Sequence, residues 1–116
     1  DLCFTVFTNI LSDTGSYGFS DFSHNNRKGN ALVYRVNTSD FQYDNFESNN
    51  IIESNFSKDL TNIGSSWRSV FDGSVHNDRF YIIKDPNGNN YKLKFLAITD
   101  DNGIRGYPEF EYKLLQ

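Results

Sequence analysis

Sulfur is nearly absent from this chain: it has one cysteine, Cys3, and no methionine. No internal disulfide can therefore staple the fold, and no thioether is available as a soft metal ligand. Cysteine and histidine are nowhere spaced as in a zinc finger. No run of about 18 apolar residues occurs and no charged-then-apolar leader opens the chain, so neither a membrane span nor a signal peptide is readable. Positive charge is thin as well. Eleven Lys and Arg against fifteen Asp and Glu leave a net charge of −4, and scattered cations do not supply the clustered phosphate contacts that a nucleic-acid partner demands. No Gly-rich phosphate loop leads into a helix, because no strong helical pattern occurs anywhere.

What is present in abundance is aromatic. Eleven Phe and seven Tyr help bring the aromatic share to 16%, and such side chains favour strands and can fill a small β core. A length of 116 residues suits one compact unit, so a single domain over 1–116 is expected. The opening at Asp1 runs straight into a strand pattern, which leads us to expect upstream strands outside this sequence.

Residues 2–8 alternate with period two, Leu2, Phe4 and Val6 against Cys3, Thr5 and Phe7, which predicts a well-covered strand. Residues 9–30 are rich in Ser, Asn, Gly and Asp and read as a long loop. Residues 31–36 predict the next strand, after the Gly29-Asn30 turn. Residues 37–66 are polar, with isolated apolar anchors and room for a short helical turn. A strand over 67–71 should end at Asp72-Gly73-Ser74.

The last forty residues predict a meander, with strands at 79–84, 90–98 and 107–114. The turns between them carry Asp85-Pro86-Asn87-Gly88-Asn89 and Asp100-Asp101-Asn102-Gly103. In the central strand Tyr91, Leu93, Phe95 and Ala97 should face inward, with Lys92, Lys94 and Leu96 largely wet. Phe110, Tyr112 and Leu114 should extend the buried side, and Pro108 marks a strand entrance or an edge. The fold class is all-β: antiparallel sheets, a C-terminal hairpin meander, long loops and little helix.

Catalytic signatures are missing. There is no Gly-x-Ser-x-Gly elbow, and Cys3 reads as a buried inert thiol. The carboxylate pairs Asp100/Asp101 and Glu109/Glu111 read as solvated charge. An EF-hand loop fails too, because placing Gly88 or Gly103 at the invariant glycine puts Ile83 or Ile98 at the first ligand position. No metal site is expected. His24 in the long loop and His76 before the Arg79 strand could clamp a flat porphyrin between aromatic walls, since neutral imidazole ligates haem iron. The blander reading makes both surface histidines, with Trp67 and Phe71 as core anchors. A carbohydrate-active enzyme is a rival motivated only by the many Tyr, Trp and carboxylates.

Several segments resemble the HmuY-like family. They are Asp1-Leu2-Cys3-Phe4 with its polar loop, the Gly29-Asn30-Ala31 strand entry, Trp67, the stretch from Phe80 to Phe95, and Arg105-Gly106-Tyr107-Pro108-Glu109-Phe110-Glu111-Tyr112. The resemblance implies the carboxy-terminal portion of a hand-shaped all-β binding domain on a surface lipoprotein of Bacteroidetes-type bacteria. It implies haem capture for a TonB-dependent outer-membrane transporter, with a lipid anchor outside this sequence and not at Cys3. One family ligand position corresponds to Asp72, with His76 four residues on; the other falls in residues 37–62, which contain no His. The cofactor-binding candidates are thus His76, Asp72, Trp67 and His24. The alternative is a transporter-associated accessory lipoprotein that binds no haem.

Overall fold

The computed structural model describes residues 1–11, 13 and 15–116, with the side chains of all of these except Asn9 and Leu11. The fold is all-β: among the described residues there are eight strands, all paired antiparallel, and two 3-10 turns, at Ser48–Asn50 and Glu53–Asn55. No helix long and apolar enough to cross a membrane occurs among the described residues.

The centre is a four-stranded sheet. In chain order its strands are β3 (Leu32–Asn37), β6 (Arg79–Lys84), β7 (Asn90–Thr99) and β8 (Arg105–Leu115), and they lie side by side in that order. Strands β6, β7 and β8 form the expected meander, and its two turns share one design. The Gly88 amide donates to the Asp85 carbonyl at 3.1 Å and the Gly103 amide to the Asp100 carbonyl at 2.9 Å, with both glycines at positive φ, 87° and 77°. Each aspartate carboxylate then accepts two further backbone amides, from Asn87 and Asn89 in one turn and from Asn102 and Ile104 in the other. Aspartate supplies the acceptor and glycine the left-handed backbone, so the sequence dictates both reversals.

Both faces of this sheet are covered. On one, Val33, Tyr81, Ile83, Leu93 and Phe95 pack with Ile63, Trp67 and Ile98, and Leu2, Phe4 and Val75 close over them. On the other, Tyr34, Val36, Phe80 and Ile82 pack with Tyr43 and Phe46, flanked by Ile51, Phe56 and Leu115. The polar segment after β3 is thus a lid over the second face, held by sparse aromatic anchors. Double burial explains why β6 reads as an unbroken apolar run, Phe80-Tyr81-Ile82-Ile83.

A second hairpin lies against the first face. It pairs β1 (Leu2–Leu11) with β2 (Gly15–Asn25), which corrects the expected long loop over 9–30; Ser12 and Thr14 of that stretch lie outside the described residues. The polar composition hid a strand whose aromatic residues are staggered by a bulge. Thr5 faces Phe22 while Phe7 faces Phe19, so β2 carries one extra residue at Ser20-Asp21. Asp21 takes positive φ, 52°, and the stagger lets Phe7 stack on Phe22 with centroids 4.4 Å apart. It also corrects the expected face of β1: Leu2 and Phe4 pack inward, but Val6 is exposed. Cys3 is exposed rather than buried, because its position alternates with those two.

The bulge is tied to the rest of the molecule. The Trp67 indole N–H donates to the Asp21 carbonyl at 3.0 Å, Arg68 donates to the Ser20 carbonyl, and Arg105 reaches Ser20 Oγ at 2.8 Å and the Asp21 carboxylate at 2.6 Å. The strand expected over 67–71 is only two residues long: β4 (Arg68–Ser69) pairs with β5 (Ser74–Val75) around a turn in which Gly73 has φ 66°. Phe71, expected in the core, sits at that turn fully exposed.

Two further corrections concern the meander. Phe110, Tyr112 and Leu114 remain exposed on the edge strand β8, although the Phe110 ring stacks on Phe4 at 5.9 Å. Lys92, expected to be wet, is 3% exposed. Its ammonium donates to the carbonyls of Tyr43, Asp44 and Phe46 at 2.6, 3.3 and 3.1 Å and lies over the Tyr43 ring.

Burial pushes the Tyr43 phenol up to about 12, and the Glu111 carboxylate adds to the rise. A folded-state value above the unfolded one contributes stability that is whole below about pH 10 and lost as pH rises towards about 12. The urea midpoint is expected to fall through that window, and Tyr43→Phe to flatten the fall; an unchanged slope in Tyr43→Phe would remove Tyr43 as its source. Tyr34 and Tyr81, also raised by burial, keep part of the slope.

Candidate functional site

A recess of about 730 Å³ opens beside the last residues of β2 and is lined by His24, Asn25, Arg27, Lys28, Lys58 and Leu60, among others. Local chemistry shapes it. The Asn26 carboxamide accepts the Gly29 amide at 3.0 Å, and the Ala31 amide returns to the Asn26 carbonyl at 3.1 Å. The tight turn so formed ends at Asn30, with φ 63°, and projects Arg27 and Lys28 outward. The opposite wall is brought in by the bridge between Val33 and Ser57 and by Lys58, whose ammonium donates to the Asn30 side chain at 2.6 Å.

Three properties mark this cleft. First, the half-buried His24 ring places Nδ1 3.2 Å from the Asn25 carbonyl. A carbonyl only accepts, so Nδ1 is the nitrogen that donates in this bond. Second, Asn25 is 1% exposed; its amide nitrogen donates to the Ala31 carbonyl at 2.7 Å while its Oδ1 has no partner. Third, its three cations are not tied up in close ion pairs. Among the described residues the four ion pairs are Arg79–Asp78, Lys84–Glu53, Lys94–Glu111 and Arg105–Asp21, and none includes Arg27, Lys28 or Lys58. Asp59 is the nearby counter-charge, and its carboxyl is held low by hydrogen bonds from Thr61 and then by the charge of Arg27.

His76 lines a different cleft of about 310 Å³ with Gln42, Tyr43, Arg79, Lys94 and Leu96. The cations there are engaged: Arg79 is bonded to Asp78 and to the Ser66 carbonyl, and Lys94 to Glu111. A third recess, about 280 Å³, is aromatic and lies over Leu2, Ile83, Tyr91, Leu93, Phe110 and Tyr112.

Trp67, Asp72 and His76 all belong to the β4–β5 hairpin and its flanks. The His76 amide donates to the Trp67 carbonyl at 2.9 Å, closing its base. Trp67 is fully buried and stacks on Phe95 at 4.2 Å. Asp72 is exposed, and its carboxylate accepts the Ser74 amide and hydroxyl, bonds that lower its pKa. His24 lies apart from these three, and the two imidazoles line separate clefts. The cations of the large cleft were not singled out in the sequence: Arg27-Lys28 is a visible basic pair, but nothing in the spacing links it to Lys58. Among the described residues no three His, Cys, Asp or Glu converge to hold a metal ion.

The fold and its clefts define an antiparallel β domain with an open, basic groove bearing one imidazole. Residues 5–112 match the family described as HmuY protein. The chain therefore belongs to the HmuY family. No curated protein and no solved structure matches it.

Proposed function

We propose that the chain is a non-catalytic binding domain on the outer surface of a bacterium, anchored through a lipid beyond this sequence, which captures haem for a TonB-dependent outer-membrane transporter. Membership of the HmuY family over residues 5–112 carries this reading. His24 carries a ring nitrogen of the kind that ligates iron and the cations beside it suit carboxylates, but Leu60 is the one apolar side chain in the lining of that cleft, so it lacks the walls a porphyrin packs against. Two imidazoles on one iron are not what the separate clefts of His24 and His76 offer. Bound haem would supply the visible spectrum that reports capture, and the domain's own task is to hold and release it.

Titrating the purified protein with haemin tests this. We expect a sharpened, shifted Soret band that saturates at one equivalent. A featureless titration would exclude haem capture and favour the second reading, an accessory lipoprotein of a nutrient transporter. The separate placement of the two histidines supports that reading, as does the lack of methionine. Co-purification with an outer-membrane transporter is its own test.

A further inference from the structure

We infer that the cleft beside the end of β2 is a seat for an acidic saccharide, a sugar chain whose carboxylates or sulfates meet Arg27, Lys28 and Lys58 and whose hydroxyls meet the polar wall. The site is independent of haem capture, because the lining that fails a porphyrin is the lining that suits a polar anion.

One imidazole, two carboxamides and three cations line the cleft, against the single apolar side chain of Leu60. No carboxylate belongs to that lining, in a chain with fifteen Asp and Glu against eleven Lys and Arg. Recesses elsewhere on the fold contain Asp1, Asp40, Asp44 or Glu47. Asp59 follows Lys58 in the chain, but its Oδ1 is taken by Thr61, whose amide and hydroxyl donate to it at 2.8 and 2.7 Å. Arg27, Lys28 and Lys58 thus leave a local excess of positive charge, and an anion seated among them relieves it. Volumes near the 730 Å³ of this cleft hold drug-sized ligands, so a lone inorganic anion would leave most of it unfilled. Hydroxyls suit what remains of the wall. Asn25 is 1% exposed, and its Oδ1 is a buried acceptor that lacks a donor. His24 spends Nδ1 on the Asn25 carbonyl, and a hydroxyl, which both donates and accepts, can meet the other ring nitrogen in either protonation state. Leu60 offers a patch for the C–H face of one sugar ring. An acidic peptide fits less well, because its apolar side chains would find Leu60 alone.

Calorimetric titration of the full chain with oligogalacturonate, dextran sulfate, unmodified dextran and poly-aspartate, at low and high salt, tests the site. We expect the two acidic sugars to bind and unmodified dextran not to; the tighter of the two identifies the anionic group as carboxylate or sulfate. Poly-aspartate has carboxylates but no hydroxyls, and at high salt, where bare charge is screened, it should bind at least about tenfold more weakly than oligogalacturonate. The double variant Arg27→Gln/Lys58→Gln should weaken acidic-sugar binding by at least about tenfold and lose most of its salt dependence. Arg35→Gln, which removes a cation of β3 outside this cleft, should change it by less than about twofold. Arg27, Lys58 and Arg35 are all exposed, so these variants should fold as wild type does. Failure of both acidic sugars to bind, equal binding of poly-aspartate at high salt, or undiminished binding in the double variant would overturn the assignment and leave haem capture untouched.

Discussion

Trp67→Ala is expected to lower folding stability by about 3–5 kcal/mol in urea melts. The indole is fully buried, stacks on Phe95 at 4.2 Å and takes the edge of Phe4 at 6.2 Å. Its N–H is also the bond that fastens the Asp21 carbonyl, and hence the bulge of β2, to the central sheet. Truncation therefore opens a cavity and orphans a carbonyl in the same place, and the two costs add. Trp67→Phe separates them: it keeps a ring against Phe95 and loses the hydrogen bond, so about 1–3 kcal/mol is expected. A loss under about 1 kcal/mol for Trp67→Ala would mean that the ring does not anchor the core, and a role as ligand wall would gain ground.

The meander was readable because local and global signals agree there. Asp85 and Asp100 each sit three residues before a glycine, and the flanking runs alternate, so turn chemistry and pattern select the same strands. Strand β2 was not readable, because Gly15, Ser16, Gly18, Ser20 and Asp21 are poor strand formers. Its order comes from pairing with β1 and from the Trp67 and Arg105 bonds to its bulge, interactions 46 and 84 residues distant. The lid over the second sheet face escaped for a related reason: Tyr43 and Phe46 look isolated in sequence and meet Phe80 only in the fold. The candidate site was half legible. His24 could be named from the sequence, but its cleft is completed by Lys58, and the bridge that delivers Lys58 depends on the backbone of Val33 and Ser57. The family resemblance stood on the residues of the meander, where pattern was strongest, and also on Asp1-Leu2-Cys3-Phe4, Gly29-Asn30-Ala31 and Trp67 outside it.

Lys92→Met is expected to cost about 2–4 kcal/mol, whereas Lys94→Met, two residues along the same strand, should cost less than about 1 kcal/mol. Alternation puts both side chains on one face, so pattern alone treats them alike. Lys94 pairs with Glu111 at 3.2 Å in a half-exposed setting, where screening leaves little to lose. Lys92 is the inner member: its ammonium ties together the carbonyls of Tyr43, Asp44 and Phe46, the segment that seats Phe46 in the second core. Burial lowers the Lys92 pKa, so the site holds the charge less well than water does, and removing the charge recovers that penalty. The recovery is the smaller effect, because methionine offers no donor and the Asp44 and Phe46 carbonyls lose their ammonium, while Tyr43 keeps only the Phe46 amide at 3.3 Å. Equal losses in the two variants would show that the lid is held by its aromatic anchors alone, and that the lysine beneath it is a passenger.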